Sequence, residues 1–215
     1  MGKRDVACCV RDPFLAADSV WGASISARMD SFLLALIGVF VISLGGRDQL
    51  LVARLTHRLG ASTALLLVAC LVCVASAAAM AWAGAAVSEQ LPGAARAMLV
   101  AFALLAAAIE LAWPVRLKDP KEPTRSLGAI GLVLLVRQLS DAARFAIFAF
   151  AAATVLAPMA GLGGAIGGIA ALLLGWTMGA DLERRLPLRT IRRTIAAILL
   201  AAAVFIGLSA RGAIS

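Results

Sequence analysis

A chain of 215 residues that is 62% hydrophobic and only 15% charged carries more apolar surface than one soluble core of its size can bury. With a mean hydropathy of +0.97, it argues against a soluble enzyme and requires lipid to cover the remainder. The formal charge of +8 would suggest nucleic acid in a soluble protein, but here the basic residues stand between long apolar runs and read as topology signals.

In chain order, residues 1–30 lack a continuous apolar stretch and are expected to form an N-terminal tail, with Met29 the true start. Six apolar runs follow, at 31–52, 61–87, 95–114, 127–155, 160–181 and 192–210. Each approaches or exceeds the roughly 20 residues that cross about 30 Å of hydrocarbon. Breakers fall between or within them at Gly45-Gly46, Gly60, Pro92-Gly93, Pro114, Pro158 and Pro187. The expected fold is therefore all-α: a polytopic integral membrane protein of six transmembrane helices. The charged, proline-rich linker 115–126 divides it into a first three-helix repeat, 31–114, and a second, 127–210, with 211–215 as a C-terminal tail. An odd number of spans per half makes the second half enter the membrane from the opposite side. Homologous halves would then form two inverted repeats with any substrate site at the midplane between them.

Orientation follows from the basic residues. The first, third and fifth connections carry twelve Lys and Arg, from Arg47 to Arg193, against Arg96 alone in the second and fourth, which places the former in the cytoplasm. A bacterial inner membrane is the expected location.

Two spans carry small residues at four-residue spacing: Ala69, Cys73, Ala77, Ala81 and Ala85 in one, Gly163, Gly167, Ala171, Gly175 and Gly179 in the other. Such stripes let helix backbones approach closely and are expected to be scaffold, with a homodimer contact as their alternative use. Cys8, Cys9, Cys70 and Cys73 make no disulfide framework, and the Cys70-x-x-Cys73 pair reads as packing ahead of a redox or soft-metal pair.

Charges at membrane depth are costly and therefore functional candidates. The first run contains Ser43-Leu44-Gly45-Gly46-Arg47-Asp48-Gln49, the fourth Arg137-Gln138-Leu139-Ser140-Asp141-Ala142-Ala143-Arg144. An offset of 95 sets Ser43 opposite Gln138, Gly45 opposite Ser140, Gly46 opposite Asp141 and Gln49 opposite Arg144. On one continuous helix Arg137, Asp141 and Arg144 would share a face, so that Asp141 neutralises an arginine. Asp48 can likewise pair with Arg47. Glu110 is expected to snorkel at a cytoplasmic end, His57 to lie in a loop, and Trp21, Trp82, Trp113 and Trp176 to anchor at the interface.

The Ser43–Leu51 cluster, the Ser126-Leu127-Gly128-Ala129 entry to the fourth run and the Gly175–Arg193 segment with its Glu183-Arg184-Arg185-Leu186-Pro187-Leu188-Arg189 resemble the GDT family of manganese and calcium exchangers, uncharacterised protein family 0016. The resemblance covers most of Met29 to Leu208. It implies two three-span halves, each bearing E-x-G-D-[KR]-[ST], that exchange Mn²⁺ or Ca²⁺ for protons through those acids. Here Ser43 stands at the first Glu, Gly45 is kept, Gly46 stands at the Asp, Arg47 keeps the basic position and Asp48 replaces the hydroxyl residue. In the second motif Gln138 stands at the Glu and Ser140 at the Gly, Asp141 is kept, and Ala142 and Ala143 replace the rest.

The resemblance thus implies Asp141 as chief carboxylate, Asp48 as second, and Gln138, Ser43 and Ser140 as neutral oxygen ligands of a transported cation, with no catalytic residue and no resident cofactor. The partners it implies are the bilayer, a divalent cation and protons. Two intact motifs would sum to −2, whereas Asp48 and Asp141 against Arg47, Arg137 and Arg144 sum to +1. Three readings are therefore open: a divergent cation–proton exchanger, a degenerate paralogue with a structural or regulatory role, and a transporter of altered, anionic substrate. No nucleophile–base–orienter set and no phosphate loop supports an enzyme.

Overall fold

In the computed structural model, residues 13–59, 62–113, 127–154, 156–179, 181–182 and 187–212 are described. The 115–126 linker, Glu183–Leu186 and residues 213–215 lie outside them. Eight helices are present among the described residues: α1 (Pro13–Ser43), α2 (Arg47–Leu59), α3 (Thr63–Glu89), α4 (Gly93–Ala112), α5 (Leu127–Leu139), α6 (Ala142–Ala153), α7 (Ala157–Met178) and α8 (Leu188–Ala210).

Helices α3, α4, α7 and α8 are each long and apolar enough to cross a membrane. The 27 residues of α3 reach about 40 Å. Helices α1 and α2 together form a further, broken candidate, bent by 58° where the chain passes through Leu44-Gly45-Gly46. Gly45 makes this turn at φ +72°, a left-handed conformation that glycine enters without steric cost.

The fourth run is not one helix. It divides into the short apolar helices α5 and α6, because Asp141 adopts an extended backbone and its carboxylate accepts a hydrogen bond from the backbone N–H of Ala143, starting a new helix. Of the expected N-terminal tail, residues 1–12 lie outside the described residues and 13–30 are helical. A helix runs from Pro13 without interruption into the first span, and proline suits a first helical position.

Apolar side chains cover the outside, among them Leu34, Leu71, Phe102, Leu132, Ile166 and Phe205, while Asp48, Gln49, Gln138, Asp141, Arg144 and Arg192 are buried. That polarity suits lipid as solvent. Trp82 and Trp113 are exposed, as anchoring requires, but Trp176 is packed partly buried against the core. His57 is exposed on α2, within a helix.

Helix α7 lies at the centre, packed on α1, α2, α3 and α6. Its glycines make this possible on two faces. A Cβ on Gly163 would strike the carbonyl oxygen of Phe32, one on Gly167 that of Leu36, and one on Gly175 would lie 2.8 Å from Gln49 Cγ. On the other face, a Cβ on Gly161 would sit 2.9 Å from Ala81, and one on Gly168 2.8 Å from the sulfur of Cys73. The alanine stripe of α3 is buried from Ala69 to Ala81. Both stripes are thus used within the chain. Partners cross between the halves: α1 and α2 pack on α7, and α5 and α6 pack on α3, while α4 pairs with α8.

Candidate functional site

The two interruptions meet. Ser43, Gly46, Asp48 and Gln49 from the first and Gln138, Asp141 and Arg144 from the second line one small cavity, closed by Gly168, Ala171 and Leu172 of α7. It has room for about one water molecule. Asp48 heads α2 and Asp141 caps α6, so each carboxylate sits where free backbone N–H groups favour negative charge.

Hydrogen bonds fix the wall. Arg144 donates from Nε to Ser76 Oγ at 2.8 Å and from Nη2 to Gln138 Oε1 at 2.8 Å, and Ser76 Oγ lies 2.8 Å from that same amide oxygen. Gln49 accepts from the backbone N–H of Gly45 at 2.7 Å and donates to the carbonyl of Ala171 at 2.9 Å, tying the first break to α7. These anchors correspond under the sequence offset: Gln49 holding Ala171 on α7 matches Arg144 holding Ser76 on α3, each position displaced by 95.

The carboxylates are treated differently. One oxygen of Asp141 accepts from Ala143 N at 3.3 Å, and the other, Oδ1, is buried without a partner, as is Oδ1 of Asp48. Asp48 is 7% exposed and Asp141 5%, so both are desolvated groups that a cation or a proton would complete.

Of the five residues expected as ligands, Ser43, Asp48, Gln138 and Asp141 are brought together here. Ser140 is not: it is exposed on the outer side of the turn, and its hydroxyl donates to the carbonyl of Val136 at 3.1 Å. The expected single face of Arg137, Asp141 and Arg144 also fails. The break between α5 and α6 leaves Arg137 exposed and sends Arg144 to Ser76 and Gln138.

Arg47 does not pair with Asp48 either. Its Nε lies 2.8 Å from Oε1 of Glu110 on α4. Glu110 is no snorkelling residue, since its side chain is 8% exposed and also lies 3.7 Å from Nη2 of Arg192 on α8. Arg192 donates in turn to the carbonyl of Gly45 at 2.9 Å and to that of Glu110 at 3.2 Å. This Arg47–Glu110–Arg192 cluster joins α4 and α8 to the first break. Sequence reasoning passed over it, although Glu110 is the sole acid of α4.

Cys73 is buried with its sulfur 3.8 Å from the carbonyl oxygen of Ala165, and Cys70 is a free thiol, in keeping with packing roles. Among the described residues no three His, Cys, Asp or Glu side chains are grouped to hold a metal ion. No family model, curated protein or solved structure matches the chain.

Proposed function

We propose that this chain is a secondary transporter that exchanges a cation for protons, a divergent relative of the manganese and calcium exchangers, sited in a bacterial inner membrane. Counting α1–α2 and α5–α6 as one broken span each gives six spans in two inverted halves. The crossing of packing partners and the matched Gln49 and Arg144 anchors support that count. Broken helices meeting between inverted halves are where transporters bind ions.

The observation that carries the reading is a pair of buried carboxylates, Asp48 and Asp141, each with an unpartnered oxygen, on the wall of one cavity. The sequence-level sum of +1 overstated the positive charge. Glu110 engages Arg47 and Arg137 is exposed, which leaves Asp48, Asp141 and Arg144 at the cavity, a sum of −1.

The test is cation uptake into proteoliposomes under a pH gradient, comparing the native chain with Asp141→Asn. Asparagine caps a helix as well as aspartate, so the fold is kept while the charge is removed. Uptake should fall by at least about tenfold in the variant, the scale expected when a buried charged ligand is lost. A second reading, the degenerate non-transporting paralogue, is favoured by one observation: Arg144 already occupies part of the wall, bonded twice. Absence of uptake of any cation by the native chain would leave this reading and the anion transporter, and anion-driven flux would choose between them.

A further inference from the structure

We infer that the cavity is matched to one small monovalent cation, with Arg144 supplying in permanent form the second positive charge that a divalent ion would bring. This rests on the cation-exchange reading and specifies its substrate class.

Three observations converge. Asp48 and Asp141 line the cavity, are both more than nine-tenths buried, and each has a buried Oδ1 without a partner. Arg144, 2% exposed, is held there by two 2.8 Å bonds and is a structural part of the site. Arginine is the basic side chain that keeps its charge in proteins generally. The wall therefore sums to −1, which one monovalent ion neutralises and a divalent ion over-compensates. The adjoining Arg47, Glu110 and Arg192 add a further +1 close by, which raises the penalty on a second ionic charge.

Ligand number and space agree. Calcium takes six to eight oxygens and manganese favours carboxylate-rich sites. Here Gln138 Oε1 already accepts from Arg144, and the cavity admits about one water-sized body. Two carboxylate oxygens, with Ser43 alongside, suit a small weakly charged ion such as Na⁺ or Li⁺.

The experiment measures thermal unfolding of the purified chain in NaCl, LiCl, MnCl₂ or CaCl₂ against choline chloride at equal ionic strength. Na⁺ or Li⁺ should raise the midpoint saturably and at lower concentration than either divalent ion, and Asp141→Asn should lose that response. Arg144→Gln should shift relative affinity toward Mn²⁺ by about a hundredfold, as removal of one charge at contact distance predicts, while Arg144→Lys keeps the monovalent preference. Should Arg144→Gln fail to fold, the native chain and Asp141→Asn still decide. Tighter stabilisation by Mn²⁺ or Ca²⁺, or no response to a monovalent ion, overturns the inference. Monovalent binding without flux in proteoliposomes leaves the inference standing and removes transport, whereas Mn²⁺ exchange without Na⁺ exchange does the reverse.

Discussion

Asp141 has two tasks, one for each carboxylate oxygen. Its Oδ2 starts α6 by accepting from Ala143, and its Oδ1 is buried without a partner in a residue that lines the cavity. Asparagine preserves the first task and alanine neither, so Asp141→Ala should melt below Asp141→Asn by about 1 kcal/mol, the usual worth of an N-cap. Glycines divide as sharply. A Cβ on Gly163 would collide with backbone, and Gly163→Ala should destabilise by about 1–3 kcal/mol. Gly93 has nothing within 4 Å and an ordinary backbone, so Gly93→Ala should be neutral within about 0.5 kcal/mol. Denaturation in detergent reads both. The candidate carboxylates were legible from sequence because a charge in an apolar run stands out. The direction of Arg144 and the exposure of Ser140 were not. Helical spacing was applied across Ser140-Asp141, where the helix stops and the chain restarts at a new angle, so the shared face never forms.

At the scale of elements, the two breaks are made differently. The first relies on the left-handed Gly45, packed so closely under α8 that a Cβ there would lie 3.3 Å from Leu188. Gly45→Ala should therefore be strained twice, at a cost of about 1–2 kcal/mol for the backbone alone, checked by unfolding. The second relies on the Asp141 cap. Around the first, Glu110 stands between Arg47 and Arg192. Removing one member leaves buried charge uncompensated, so Glu110→Gln and Arg192→Gln should each be destabilising. A double-mutant cycle between them should return a coupling of about 0.5–3 kcal/mol, with additivity ruling the pair out as an energetic unit. Sequence missed this cluster because each member looked like an ordinary residue at a helix end, and their meeting depends on how α4, α8 and the first break come together.

For the molecule as a whole, hydropathy located α3, α4, α7 and α8 to within a few residues, since long alanine- and leucine-rich runs have one solution in lipid. Gly45-Gly46 marked the break in the first run, but the fourth was drawn as continuous because an average over a window does not register a turn of two or three residues. Orientation remains a sequence argument with a direct check. In a chain freed of its native cysteines, Gln90→Cys, exposed in the turn after α3, should react with an impermeant thiol reagent from outside the cell. Arg189→Cys, exposed near the start of α8, should react only in inverted vesicles. The opposite pattern would reverse the whole assignment.

The glycine rows of α7 carry one more consequence. Shaved to glycine on both sides, that helix is a keel: to rotate or slip by a turn it would have to drive its own side chains into the backbone of α1 and α2. The α4–α8 pair is gripped by no such rows and is pinned to the first break by Arg192. If the proposed exchange involves rocking, a movement of that pair would have to break its packing on α6 as well as its pin at Arg192.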